Sequence, residues 1–328
     1  MKCLACDFGG SSVKYALVDN KANMTEHGKL PAPLDSIVQF QDTVESLYNR
    51  FKDEIEGISI SIPGYIDPSN GFLFESGVYA PLYNKNIPDL LTERCPVNIS
   101  VENDGKCGAL SEAWNGALKD VNDGVVIILG SGVGGGIVKD KRIHRGKGFA
   151  AGELSYMLTS SNSHTYKDMA LMHTCMLGMT YKMCKYKNLD FSVQDSDEVI
   201  ALFDKFFASQ FAKPVGEPKK IKADGHQIFR WLKEGDPDAI RVYKMFIESL
   251  AMLIFNIQIV YAPERIVIGG GLSREKMIYK DIEKELNRYY SGCFLSEQLK
   301  SEVVQSVYLD ECNVLGAAYN YFTRFGGC

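Results

Sequence analysis

The sequence predicts an α/β chain folded as two lobes, and three observations carry that expectation. Strand-like and helix-like runs alternate along the chain. A strand, Gly/Ser turn and strand occur in each half, as LACDFGGSSVKYALV near the start and VIILGSGVGGGIVK near the middle. The 328 residues exceed a typical single domain and fit two. Two such hairpins, one in each lobe, would be able to close on a triphosphate from opposite sides.

Composition narrows the functional classes. With 45% hydrophobic and 23% charged residues the chain fits a globular protein with packed cores. Its net charge of -5, with no Lys/Arg run, leaves no electrostatic footprint for nucleic acid. Met1 leads straight into strand-like KCLACDF rather than a basic and apolar leader. No signal peptide is therefore expected, and the expected location is cytoplasmic. The longest apolar stretch, LAMLIFNIQIVYA from Leu250, is short and contains Asn256 and Gln258. It reads as a buried helix, and no membrane span is expected. Nine cysteines, odd in number and irregular in spacing, read as free thiols of a reducing compartment. Cys3 and Cys6 would face opposite sides of one strand, which speaks against a shared metal or disulfide.

In chain order, residues 2–8 read as a buried strand, DFGGSS as a tight turn, and VKYALVD as a second strand. The turn is either a plain hairpin or an anion cradle of backbone amides, in which Asp7 could hold Mg²⁺ and Lys14 could add charge. Helical spacing over 35–52 predicts a helix with Asp35 as N-cap. GISISI is a short buried strand stopped by Pro63-Gly64, and a hairpin is expected over 65–74. A short helix over 86–94 and the strand VNISV follow. The Met-rich run 165–184 reads as core helix that includes Cys175 and Cys184. Residues 185–222 read as a helix plus an irregular insertion. A long helix runs from Asp236-Pro237 to about Tyr261, with proline in its first turn. RIVIGGGLS is a strand ending in glycines, followed by a helix from Glu275, a strand over 303–308 and a final helix over 312–325.

Residues 98–157 concentrate the chemistry. Glu102-Asn103-Asp104 lies at the carboxyl end of a strand and opens a helix over 104–115. Open α/β sheets put ligands at such an end, although Asn103 or Asp104 could equally be only a helix cap. The stretch from Gly130 to Gly135 reads as a Gly-rich turn that lets a phosphate approach backbone, or simply as a flexible turn. It is neither a P-loop, for want of a terminal Lys-Ser/Thr, nor a dinucleotide fingerprint, because a strand follows it. Gly152-Glu153 supplies a second carboxylate, and Gly269 to Gly271 form a third glycine-rich strand end.

CDFGGSSVKYALVD, SIPGYIDPSNGFL, VENDGKCGALSEAWNG, VIILGSGVGGGIV, AGELSYM and IVIGGGLS, in this order and spacing, resemble the ROK family (repressors, open reading frames, sugar kinases) over nearly the whole chain. The resemblance implies an actin- and hexokinase-like (ribonuclease H-like) two-lobed fold with an interlobe cleft. It implies a first lobe over 1–116, a second over 117–311, and a helix over 312–328 packed back on the first. It implies Asp104 as catalytic base, with Gly64, Asn103, Glu153 and Tyr156 at the sugar. It implies Asp7, Gly9, Gly10, Ser11 and Lys14 as the first phosphate element, Gly130, Ser131, Gly132 and Gly134 as the second, and Gly270 and Gly271 at adenosine. ATP and Mg²⁺ are the implied cofactors, with Asp7 as the metal ligand, and a homodimer is the implied assembly.

The chain departs from the family pattern after Glu153. Leu154-Ser155-Tyr156-Met157 replaces the usual Gly-His, and no cysteine cluster follows. The resemblance is therefore to the zinc-less branch, with its β-glucoside kinases and some glucokinases, and implies no structural zinc. A phenol at Tyr156 can hydrogen-bond a hydroxyl but cannot replace an imidazole. The chain begins at the first strand, without the helix-turn-helix of the family's repressors, so DNA binding is not expected. The leading expectation is ATP-dependent phosphorylation of a glucose-like hexose or β-glucoside. The alternatives are a non-catalytic sugar sensor on the same fold and an acetate- or glycerol-type kinase.

Overall fold

The structure, a computed structural model, describes residues 1–162, 166–189, 221, 223–292 and 299–326. Most of the expected insertion over 185–222, namely 190–220 and 222, lies outside the described residues.

Two five-stranded sheets share one topology. In the first, β1 (Lys2–Phe8), β2 (Ser12–Asp19) and β3 (Met24–Pro31) form an antiparallel meander, and β4 (Gly57–Ile62) joins β1 in parallel. A three-stranded sheet follows, made of β5 (Tyr65–Asp67), β6 (Phe72–Glu75) and β7 (Lys85–Asn86). β8 (Asn98–Asn103) then completes the first sheet beside β4, giving the order β3-β2-β1-β4-β8. The second sheet repeats this plan with β9 (Gly124–Leu129), β10 (Val133–Lys139), β11 (Arg142–His144), β12 (Arg265–Gly269) and β13 (Glu302–Gln305), in the order β11-β10-β9-β12-β13. The sequence echo between the two hairpins is thus the visible part of a whole repeated sheet.

The helices follow from apolar stripes and caps. α1 (Ile37–Phe51) buries Phe40, Val44, Leu47 and Phe51 against one face of the first sheet, among Leu4, Cys6 and Phe8. Its cap is Ser36, not the expected Asp35. The Ser36 hydroxyl accepts from the Gln39 amide at 3.1 Å, while the Asp35 amide donates to the Gln39 side chain. After the short α2 (Ile87–Leu91), α3 (Asp104–Asn115) packs Ala109 against Val126, Val138 and Val267 of the second sheet. α4 (Ala170–His173) and α5 (Met176–Lys187) replace the single Met-rich helix expected. The run breaks at Thr174-Cys175, where the Cys175 sulfur caps α5 by accepting from the Gly178 amide at 3.3 Å. Met172, Met179, Met183 and Cys184 are core, as their spacing implied.

α6 (Gly225–Lys233) has no counterpart in the sequence reading. α7 (Pro237–Tyr261), capped by Asp236, buries Leu250, Ala251, Leu253, Ile254 and Ile257 in the core of the second sheet. The apolar stretch from Leu250 is therefore core helix. α8 (Met277–Gly292) covers the same core, and α9 (Cys312–Phe325) closes the described fold. Strand β13 ends at Gln305, three residues before the expected 308, because Ser306 turns away to bond Glu112.

α9 lies under the first sheet, with Leu315, Ala318 and Phe322 among Cys3, Ala5 and Val18. Cys3 and Cys6 accordingly enter different cores on opposite faces of β1. α9 also presses on α3, where a Cβ at Gly316 would fall 1.7 Å from the Cys107 carbonyl oxygen. α3 and α9 are the inner layer between the two sheets, and α3 touches both.

Candidate active site

Asn103, not Asp104, caps α3. Its Oδ1 accepts from the Lys106 amide at 3.1 Å, and its Nδ2 donates to the Gly64 carbonyl at 3.0 Å. Asp104 is thereby the first helical residue. Among the described residues its Oδ1 accepts only from the neighbouring Gly105 amide, at 2.8 Å. The carboxyl is pushed up to about 6, first by burial and then by the charge of Asp7, with Glu153 adding to the rise and Lys106 opposing it. A carboxylate with that poise, and no side chain holding it, is suited to accept a proton near neutral pH.

Gly64 sits at φ +124°, and a Cβ there would strike the Glu75 carbonyl oxygen at 1.9 Å. Only glycine turns the chain at this point and presents the carbonyl that Asn103 reads. Glu153 approaches from the other side of α3, with Lys106 Nζ donating to its Oε1 at 2.6 Å.

Asp7 ends β1. Its Oδ1 accepts from Ser61 Oγ at 2.8 Å and Asn313 Nδ2 at 3.3 Å, and burial raises its pKa. Among the described residues no protein donor reaches Oδ2, so that oxygen fits a hard cation directly or through water. In the turn that follows, Gly9 N–H donates to the Ser12 carbonyl. The exposed Gly10 and Ser11 amides have no acceptor among the described residues, as an anion cradle requires.

The second hairpin turn is shorter than the glycine run. Gly130, Ser131 and Gly132 make the turn, whereas Gly134, Gly135 and Gly136 lie inside β10. Those three glycines serve close packing: a Cβ at Gly105 would fall 2.4 Å from the Gly135 amide nitrogen. Strand and helix meet backbone to backbone, which sets the 130–132 turn beside the first turn of α3. The turn is anchored by Met176 and Leu177 amides donating to the Gly130 and Ser131 carbonyls. Gly270, at φ +81°, lies against the Leu129 carbonyl just before this turn, with Gly271 open to space.

Lys14 does not point freely at a phosphate. Its ammonium donates to the Asp310 carbonyl at 2.8 Å and lies 3.4 Å from the Asp310 carboxylate, which also takes Arg274. Tyr156 is 65% exposed on the 3₁₀ turn that follows Glu153. The sequence reading missed Lys106, Glu102 and Arg145. Glu102, 1% exposed, accepts from Arg145 Nη2 at 2.7 Å and from the Asn103 amide at 3.0 Å. A lysine inside the small, apolar run GKCGAL was the available signal for Lys106. Among the described residues no group of three or more His, Cys, Asp or Glu side chains is placed to hold a metal ion.

Paired sheets of one topology with α3 and α9 between them define the two-lobed, hexokinase-like α/β class. A ROK family glucokinase from Streptomyces griseus, solved in complex with glucose and AMPPNP, has this fold: TM-score 0.75 at 18% identity, covering 97% of this chain and 98% of that one. The ROK family model matches residues 3–322, and the chain belongs to the ROK family. An N-acetyl-D-glucosamine kinase of Vibrio cholerae is 27% identical over 317 residues, 95% of this chain and 97% of its own length. A beta-glucoside kinase of Listeria innocua is 24% identical over 327 residues, 98% of this chain and 97% of its own.

Proposed function

We propose that this chain is an ATP-dependent kinase of a hexose or hexose-containing sugar, with Asp104 as general base. The observation that carries the reading is the state of Asp104: Asn103 takes the capping role and leaves Asp104 partly exposed and poised near neutrality. The relatives' names, an N-acetyl-D-glucosamine kinase and a beta-glucoside kinase, support a sugar as substrate. The AMPPNP held by the S. griseus glucokinase supports ATP as donor.

In this reading Asn103 and Glu153 orient the sugar, with Gly64 holding Asn103 in place. Asp104 accepts the hydroxyl proton as attack on the γ-phosphate proceeds. The free amides of Gly10, Ser11, Ser131 and Gly132 bind phosphate oxygens. Gly270 and Gly271 offer bare backbone to the adenosine, and Lys14 adds charge once a phosphate competes with Asp310 for it. Asp7 would hold Mg²⁺, which supplies charge neutralisation on the phosphates when bound. Tyr156 stands at the rim, available to larger sugars. The lobes run over 1–116 and 117–311, with the helix Cys312–Phe325 returning to the first. This placement is supported by the packing of α9 on the first sheet.

The test is a hexose panel with coupled ADP detection, followed by Asp104→Asn. The variant is expected to bind sugar as the wild type does and to turn over at least about 100-fold more slowly, the low end for loss of a general base. Near-normal turnover in folded Asp104→Asn protein removes Asp104 from the role. Sugar binding without ADP release in the wild type leaves a sensor instead.

A further inference from the structure

Two ion pairs of opposite sense join the start of α3 to the loop 144–153. Glu102 receives Arg145, and Lys106 reaches Glu153. Lys106 is the odd member. Its side chain is only 3% exposed, and it sits in the first helical turn, where the helix dipole disfavours a cation. Burying an ammonium is costly, and a well-packed apolar side chain there would serve folding at least as well. Among the described residues its ammonium has one hydrogen-bond partner, Glu153 Oε1 at 2.6 Å. Among the described residues no protein donor reaches Glu153 Oε2.

We propose that Lys106 is a positioning residue that sets sugar specificity, by fixing Glu153 so that a single carboxylate oxygen, Oε2, faces the hexose. This rests on the reading of Asp104 and Glu153 given above. A carboxylate held at one oxygen offers one acceptor in one direction. It accepts a hydroxyl of one configuration and leaves the epimer's hydroxyl unpaired, the kind of mismatch that discriminates strongly in a closed site. A carboxylate without its anchor can rotate and present either oxygen, and that discrimination is lost. The ammonium also opposes the rise that Asp7 and Glu153 impose on Asp104, so its loss should be felt at the base as well.

The experiment is steady-state kinetics of Lys106→Met with the best hexose of the panel and its epimers. The expected result is a sugar KM raised about 10-fold or more, with kcat changed by less than about 3-fold and epimer discrimination reduced about 10-fold. The acid limb of kcat/KM should move to higher pH, because Asp104, facing Asp7 and Glu153, loses its opposing charge. Lys106→Arg should recover part of the KM and the discrimination. A merely structural lysine would lower the melting temperature and move none of these. Where Lys106→Met does not yield folded protein, Lys106→Gln, which keeps a donor without the charge, is read against the same outcomes. Wild-type KM and wild-type epimer discrimination in a folded uncharged variant overturn the inference. If no hexose is phosphorylated by the wild type, the kinase reading itself falls. If Asp104→Asn is inactive as expected while Lys106→Met keeps its specificity, only the role of Lys106 falls.

Discussion

At Asp104 stability and chemistry pull in opposite directions. Its carboxyl rises from the ordinary 3.8 to about 6, mainly through burial. The folded state therefore holds the proton longer than the unfolded chain does. Stability falls as pH rises from about 4 to 6, and the whole cost is present above that window. Partial exposure to water screens part of it, leaving about 1–2 kcal/mol. Asp104→Asn keeps the oxygen that accepts from Gly105 and removes the charge. It should therefore raise the melting temperature at pH 8 and leave it unchanged at pH 4, as thermal unfolding at the two pH values would check. A lower melting temperature at pH 8 would mean that the charge is stabilised by partners other than those found. Such a gain in stability with loss of activity is the usual mark of a strained functional group.

At the scale of elements, the contact between α3 and α9 decides whether the two sheets stay joined. Gly316 brings α9 so close that any Cβ would collide with the Cys107 carbonyl, an atom fixed in the backbone of α3. Gly316→Ala should therefore cost about 1–3 kcal/mol, since the helices must separate to admit a methyl group. Denaturant unfolding of that variant would measure the loss. A change under 1 kcal/mol would mean that α9 slides without consequence. The same crossing carries Asn313 to Asp7 and sets Glu112 of α3 under the Ser306 hydroxyl at 2.5 Å. A shift of α9 should therefore also disturb Asp7 and the turn that follows it.

For the whole molecule, the proposed ligands bridge elements of both sheets, which also meet through α3 and α9 and through pairs such as Glu102–Arg145 and Lys14–Asp310. Sugar contacts would come from the junction after β8 and from Glu153. Phosphate contacts would come from one turn in each sheet. Each ligand should then stabilise the fold by mass action, about 2.7 kcal/mol at a concentration 100 times its Kd. The hexose and AMPPNP together should raise the melting temperature by more than the sum of their separate effects, because the first closes elements that the second also needs. Simple additivity in thermal shift would argue against coupled closure. Homodimer formation, expected from the family resemblance, is a matter for light scattering on the eluting protein.

Most of this architecture was legible in the sequence because its signals are local. Alternating and continuous apolar runs gave β1, β2, β4, β8, β9 and β12, and Asp236-Pro237 marked the start of α7. The ordered motifs named the family. Edge strand β3, MTEHGKLP, escaped notice because its exposed polar residues carry no apolar period. The cap of α1 fell to Ser36 rather than Asp35 because backbone geometry, not residue type, chooses between adjacent cap formers. Sequence alone also left Asp104 divided between cap and base. Only tertiary structure decided that Asn103 takes the cap, because Gly64, from a distant loop, holds the Asn103 amide in the orientation that allows it. The same holds for the glycines after Val133. Their number read as turn, but the approach of α3 to within backbone contact makes them packing residues and confines the turn to 130–132. The sequence by itself determined most of the local elements and the family they belong to. The tertiary structure decided which side chain caps α3 and which carboxylate is left out of the cap, because freedom and burial are set by neighbours far away in the chain.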